Sequence, residues 1–337
     1  MSWMHRRGRS IHGAAATFGL GTRARARRKS GAIAAKRPRS ARILTMDVKA
    51  LAKTDIADHA LDTLRRSEIR EVVILGRRGP LQAAYNNPEL EEFEHLENVD
   101  VAVAAMDPGD IDDAALVEAD TIVRRKMATL RRLIARQQTP ENKRITFRFL
   151  RSPRQLQGDG KVERVVTDCN ALDTDGSGRP VLRATGETES IDAGLVLRAV
   201  GYRGTAFPGL PFDDRRGVIL NHRGRVTDGT TDHVGVYTTG WIKRGCNGII
   251  GSNKKCANET TQHLLEDFDA KRLPAATLDR AQVKQVLLKR APHAICLAQW
   301  IGIDHAERSA GRSTGRPRVK ITSREGLLRA AAAVATE

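Results

Sequence analysis

An α/β fold built on a parallel sheet is what this 337-residue sequence predicts, and three segments predict it. EVVILG at 71–76 is a short run of branched apolar residues closed by glycine, the pattern of a strand buried on both faces of a parallel sheet. VDVAVAAM at 99–106 repeats that pattern. VGVYTTGW at 234–241 reads as a further buried strand that runs through KRGCNGIIGSNKK into the helix ANETTQHLLEDF. Strand, glycine loop and helix in that order form an α/β crossover, whose ligand end lies at the carboxyl end of the strand.

The elements follow in chain order. Residues 1–40 hold 11 of the 57 Lys and Arg residues and no Asp or Glu, with few large apolar side chains. Such a segment cannot offset its ordering entropy by burial, so a disordered basic leader is expected. Its composition matches a transit peptide, and it equally suits nonspecific RNA or anionic-lipid contact, or no function at all. GLGTRA, Gly19 to Ala24, is the sole formal match to a dinucleotide glycine loop; a poor strand precedes it and an arginine run follows, which makes it a chance match. From Ala41, ILTMDVKALAKTDIADHALDTLRRS places apolar residues at helical spacing in two pieces, the second starting near Asp55 and Asp58.

GRRGP then breaks the chain, LQAAYNNPELEEFEHLE reads as helix or turn, and the acidic stretch ending at Asp113 opens a long helix running through TIVRRKMATLRRLIARQQ. ITFRFL, KVERVVTD and IDAGLVLRAV are strands of a β-rich insertion, the last two joined by DTDGSGRP with hairpin chemistry. A Gly/Pro-rich loop, VGYRGTAFPGLPFDDRRGVI, leads to the 234–241 strand.

Several function classes drop out on composition. The net charge of +17 belongs mostly to the leader: the rest of the chain carries 46 basic against 40 acidic residues, so nucleic-acid binding is expected through residues 1–40 if at all. No run approaches the roughly 18 apolar residues needed to span a bilayer. Cys169, Cys246, Cys256 and Cys296 form no CxxC pair and no metal-ligand spacing, which predicts free thiols in a reducing cytoplasm and no metal site.

The residues that carry chemistry cluster at strand ends. Arg77 and Arg78 follow the 71–76 strand where a dinucleotide fold meets the adenosine ribose; two guanidinium forks with no carboxylate beside them suit a 2′-phosphate, hence NADP, and a solvated turn reads the same way. Glu89, Glu91, Glu92 and Glu94 lie just beyond, either as an exposed acidic face or with one carboxylate accepting a nicotinamide amide and another relaying a proton. Gly248, Ile249 and Ile250 combine a close-approach glycine with flat apolar side chains near a helix start, a surface for a flavin ring or simply core. Trp241 stacks at that site or caps a core.

Together, KTDIADHAL after ARIL, VVILGRRGPLQAAYNNPELEE, AVGYRGTAFPGLPFDD, GWIKRGCNGIIGSNKK and the terminal GRPRVKITSREGLL resemble the ferredoxin/adrenodoxin NADP reductases of the glutathione-reductase-like flavoprotein class. The resemblance implies a partial version of that two-dinucleotide-binding-domain fold. It assigns 1–40 to an unrelated leader, 41–195 to an NADP-binding domain lacking its glycine loop, and 196–337 to the C-terminal part of an FAD-binding domain. It implies a monomeric cytoplasmic oxidoreductase that takes hydride from NADPH onto FAD and passes single electrons to a ferredoxin or similar iron–sulfur protein. By the same resemblance Arg77 and Arg78 hold the 2′-phosphate, Glu89 meets the nicotinamide end, Glu92 is the catalytic carboxylate, Trp241, Gly248, Ile249 and Ile250 touch the flavin, and Gly248 also lies near NADP.

Two departures stand beside the matches. The family's N-terminal flavin half has no counterpart here, and KRPRS stands where the NADP glycine loop belongs. They predict a truncated chain with weak FAD binding and impaired activity, or an inactive fragment whose exposed surface binds a partner. Cys246 and Asn247 replace the family's usual Pro-Thr ahead of Gly248.

Overall fold

The computed structural model describes residues 31–35, 38–104, 116–117, 119–199, 201–246, 248 and 250–333, with backbone alone at 31–35 and 250. They divide into two compact units, 1–198 with 297–337, and 199–296. The division falls at 198/199 against an expected boundary at 195/196, and the C-terminal residues group with the first unit.

The first unit is built on a five-stranded sheet of β1 (Gly31–Ala35), β2 (Glu71–Leu75), β3 (Val99–Val103), β4 (Lys143–Arg148) and β8 (Leu195–Leu197). Every pairing is parallel, in the order β3-β4-β2-β1-β8. The helices are α1 (Pro38–Thr45), α2 (Val48–Leu51), α3 (Asp58–Arg65), α4 (Asn87–Glu91), continued by a 3-10 turn over Glu92–His95, and α5 (Thr121–Ile134).

The chain 31–35 corrects the expectation for the leader: GAIAA is a strand paired on both sides, to β2 and β8. Its small apolar residues are masked by the arginines around them in any composition average, but a strand between two apolar neighbours has partners for its backbone groups on both sides. The rest of the leader, including Gly19 to Ala24, lies outside the described residues.

β2 shows why EVVILG is apolar throughout. Val72 and Ile74 face a core with Ala41 and Leu44 of α1, Leu90 and Phe93, and Met127, Leu130 and Leu133 of α5. Val73 and Leu75 face the other way, onto Val165, Ile191 and Ala193. Each such side chain contributes about 1.5–3 kcal/mol on burial. Helix α5 keeps Val123, Met127, Leu130 and Leu133 on one face, and Asp120 caps it by accepting from the Val123 N–H at 2.7 Å. The helix thus begins at Thr121, later than the acidic stretch predicts; residues 105–115 lie outside the described residues.

The β-rich insertion is an antiparallel meander, β5 (Arg151–Gln157), β6 (Arg164–Thr174) and β7 (Pro180–Asp192), with bulges at Pro153/Gln155 and Asp168/Asn170, and it is smaller than expected: KVERVVTD runs into β6, but ITFRFL belongs to β4 and Leu195–Leu197 of IDAGLVLRAV form β8 of the parallel sheet, where apolar neighbours cover them.

The second unit carries short antiparallel pairings among β9 (Phe212–Asp213), β10 (Val218–Ile219), β11 (Asn221–His222), β12 (Arg225–Thr227) and β13 (Asp232–Tyr237), with helices α6 (Trp241–Arg244), α7 (Ile250–Asp269) and α8 (Arg280–Arg290). The 234–241 segment is therefore corrected twice. Its strand pairs antiparallel with β12 at a sheet edge, and Val234 is 59% exposed, so it is neither buried nor part of a parallel crossover among the described residues. An apolar run reports preference for burial; whether a layer covers it is a tertiary matter.

In the first unit, α9 (Leu297–Arg312) and α10 (Arg324–Ala332) follow, and the segment between them is tied down. Arg316 donates to the Thr54 carbonyl at 3.1 Å and pairs with Asp58, Lys320 pairs with Asp55 at 2.9 Å, and the buried Glu307 accepts from the Ile321 N–H at 2.9 Å.

Candidate nucleotide and flavin sites

Because the five strands are parallel, their carboxyl ends share one edge. The chain leaves β1 toward β2 and returns at β8 on the other side of β1, so the strand order reverses between β1 and β8, the place where open α/β sheets bind ligands.

On that edge Gly76 continues β2. Its N–H donates to the Arg148 carbonyl at 2.9 Å, and a Cβ there would lie 2.9 Å from Phe149 Cδ1. The next turn is pinned by its carbonyls: the Leu150 N–H donates to Arg78 at 3.2 Å and the Asn170 amide to Arg77 at 3.4 Å. With the backbone held, both guanidinium groups of Arg77 and Arg78 are presented to solvent, and among the described residues neither has a carboxylate partner.

Beside them opens a cleft of about 190 Å³ lined by Gly76, Arg77, Arg78, Gln82, Tyr85 and Phe149. Phe149 stacks on Phe147 with centroids 5.7 Å apart and planes at 8°. Burial pushes the Tyr85 hydroxyl well above its usual range, and burial pulls the Lys126 ammonium down although Asp120 opposes it. Lys126 lies 5.3 Å from the Tyr85 ring centre and donates to the Ala83 carbonyl at 2.5 Å. These residues fit the adenosine and 2′-phosphate end of NADP: an apolar, aromatic slot with two solvent-facing forks at its mouth. The turn after β1 fits less well, since 36–40 contains no glycine.

The four glutamates divide between two neighbours. Glu89 pairs with Arg39 at 3.0 Å and Glu92 with Arg42, both from α1. Glu91 takes Arg125 in a bidentate pair at 2.6 and 2.9 Å, and Glu94 accepts from Arg132 at 2.9 Å, both from α5. Helix α4 and its 3-10 extension thus staple α1 to α5, with alternate carboxylates turned each way. Glu89 and Glu92 are brought together on the α1 side; sequence inspection missed their partners, because Arg39 and Arg42 lie 50 residues away along the chain.

In the second unit Gly240, at φ 70°, turns β13 into α6. Trp241 is 43% exposed and stacks on Tyr202 with centroids 6.1 Å apart and planes at 21°. The sequence marks Tyr202 only by its place in the glycine-rich 201–209 loop, with nothing to show that it meets Trp241. Gly248 sits at φ 83°, and a Cβ there would lie 2.2 Å from Ser252 Oγ, so the position admits only glycine. Ile250 opens α7, and Ile249 lies outside the described residues. An exposed aromatic pair and a bare glycine ahead of a helix fit a flat ring and its polar rim.

Beneath that loop, the Gly240 N–H donates to Cys256 Sγ at 3.3 Å, and Lys243 reaches Glu259 at 2.6 Å and Thr260 at 3.0 Å. Burial alone raises the Cys256 thiol, but the Gly240 and Thr239 donors and the Lys243 charge outweigh it and the net direction is down. Cys256 is a free thiol, as the cysteine spacing predicts, but one held by donors that the spacing does not show.

No family model matches the chain. Mycobacterium tuberculosis NADPH-ferredoxin reductase FprA is 45% identical over 301 residues, covering 86% of this chain and 64% of that protein. The mitochondrial NADPH:adrenodoxin oxidoreductase of Arabidopsis thaliana is 35% identical over 309 residues, covering 87% and 63%. The solved structure of M. tuberculosis FprA in complex with NADPH superimposes with a TM-score of 0.81 at 42% identity, covering 90% of this chain and 68% of that one. The chain thus spans just under two thirds of the length of these two relatives and half that of other curated relatives it matches.

Proposed function

The chain belongs to the ferredoxin/adrenodoxin NADP reductase family, and on that premise we propose that it takes part in electron transfer from NADPH through FAD to a ferredoxin-type iron–sulfur protein. The observation that carries the reading is the pinned turn after β2, which presents Arg77 and Arg78, without a carboxylate partner among the described residues, at the mouth of an aromatic cleft on the ligand edge of a parallel sheet.

FAD, when bound, accepts a hydride and releases its electrons one at a time. The chain's own residues do the rest. Arg77 and Arg78 hold the 2′-phosphate and so select NADPH over NADH. Trp241 and Gly248, with Ile249 and Ile250, form the flavin surface, and Gly248 leaves room for the nicotinamide end of NADP. Glu89 meets that end, and Glu92 is the candidate proton-handling carboxylate once Arg42 releases it. Residues 41–195 act as the NADP-binding domain and the later segment as the flavin-contacting one.

Among the described residues no glycine-rich strand–turn–helix offers the flavin pyrophosphate its usual cradle, and weak FAD binding with impaired activity is proposed on that ground. A cytoplasmic monomer is proposed, with nucleic acid contacted only through the basic leader; no described helix is long and apolar enough to cross a membrane. A second reading, an inactive partner-binding chain, is favoured by the apolar residues exposed on α7 and β13, Leu265, Phe268 and Val234 among them.

The test is NADPH-driven ferricyanide reduction by the full chain with FAD added. Turnover that Arg77→Ala abolishes supports the reductase; no turnover at saturating FAD, with the protein folded, leaves the partner-binding reading.

A further inference from the structure

In dinucleotide folds the pyrophosphate rests where the first strand passes into its helix, and glycines there let backbone N–H groups reach the phosphates. Here no glycine lies between Ala35 and Ala41, and Pro38, which opens α1, has no N–H to offer. The chain places arginine there instead. β1 and β2 run parallel in direct register, Ala35 beside Leu75, so α1, which carries Arg39 in its first turn, follows β1 at the same edge of the sheet at which Arg77 and Arg78 follow β2. Arg42, one turn further along α1, is held by Glu92 and is mostly covered. Arg39 is 73% exposed, and its Nε lies 3.0 Å from Glu89 Oε1.

Glu89 is largely covered, but an ion pair whose cation stands this far into solvent is weak and open to exchange at the arginine. A phosphate brings more negative charge and more acceptor oxygens to a guanidinium than one carboxylate does, and Arg presents a fork that matches either. We propose that Arg39 stands in for the missing glycine turn as a ligand of the 5′-phosphate of an NADP-type nucleotide, with Glu89 as the intramolecular competitor that this phosphate displaces. The inference rests on the NADP reading and adds to it a residue and a competition. Recognition of the pyrophosphate then depends on a side-chain charge and is more sensitive to salt than a backbone cradle.

Isothermal titration of the full chain with 2′-AMP, which lacks the 5′-phosphate, and with 2′,5′-ADP, which has it, isolates that contact. The wild-type chain is expected to bind 2′,5′-ADP about tenfold more tightly. Arg39→Ala is expected to erase that difference while leaving 2′-AMP as it was. Glu89→Gln, which removes the competitor without changing its shape, is expected to widen the difference about threefold. A difference that survives Arg39→Ala, or one that Glu89→Gln leaves unchanged or narrows, overturns the proposal. If Arg39→Ala perturbs folding, seen as a lowered thermal midpoint, the Glu89→Gln result alone decides. Should 2′-AMP fail to bind, or bind equally well to Arg77→Ala, the NADP reading itself fails and this proposal falls with it.

Discussion

Replacing Arg77 and Arg78 together by alanine separates coenzyme recognition from folding. Both guanidinium groups are exposed, and the turn that holds them is fixed through its carbonyls by Leu150 and Asn170, contacts that alanine keeps. The substitution therefore leaves the sheet and the cleft in place. Each arginine offers a charge-assisted bond to a phosphate, for which about 1.5–3 kcal/mol is usual; exposure puts these at the lower end, about 1.5 kcal/mol each. Two such contacts amount to about 3 kcal/mol, roughly a hundredfold in affinity. The loss falls on NADP(H) alone, because NAD(H) has no 2′-phosphate to lose. The assay is the ratio of dissociation constants for NADP+ and NAD+, by titration at low and at moderate salt. The ratio should approach one in the double variant, and the wild-type preference should shrink as salt rises. Equal weakening of both coenzymes, or no change in the ratio, would mean that the arginines serve the turn and not the phosphate.

Three further outcomes follow from the same geometry. Phe147→Ala empties a fully buried site between Tyr85, Phe93 and Phe149 and should cost about 3–5 kcal/mol, read as loss of the cooperative unfolding transition or a large fall in its midpoint; a shift of only a degree or two would contradict the core described. Gly248→Ala forces a Cβ toward Ser252 Oγ at a positive φ and should cost at least about 1 kcal/mol and weaken any flavin affinity, measured by fluorescence quenching; unchanged binding would place the flavin surface elsewhere. Asp267 is held at about 2 by hydrogen bonds from Arg225 and Tyr237 against an ordinary 3.8, so its contribution is complete above about pH 4 and is lost as pH falls toward 2. Asp267→Asn should flatten that part of the acid-unfolding curve, and an unchanged curve would mean the Arg225 cluster does not stabilise the second unit.

Much of the candidate site was legible in one dimension. EVVILG predicts a strand apolar on both sides, and the structure buries Val72 and Ile74 against helices and Val73 and Leu75 against the meander. A strand end followed by two arginines, and a glycine loop ahead of a helix, are local statements, and local backbone chemistry suffices to write them. What lay beyond reach was partnership. Composition hid Gly31–Ala35 among arginines, although two apolar strands flank and pair it. Spacing showed four glutamates on one short helix but not that they face α1 and α5 alternately, since Arg39, Arg42, Arg125 and Arg132 are distant in sequence.

The 234–241 run promised burial, yet its strand lies open at an edge, and 297–333 joined the first unit through Arg316 and Lys320. Periodicity, turn chemistry and charge belong to neighbouring residues and are fixed before folding. Which charge meets which, and which apolar face is covered, are decided only when distant segments share a surface, because coulombic and hydrophobic terms depend on separation in space.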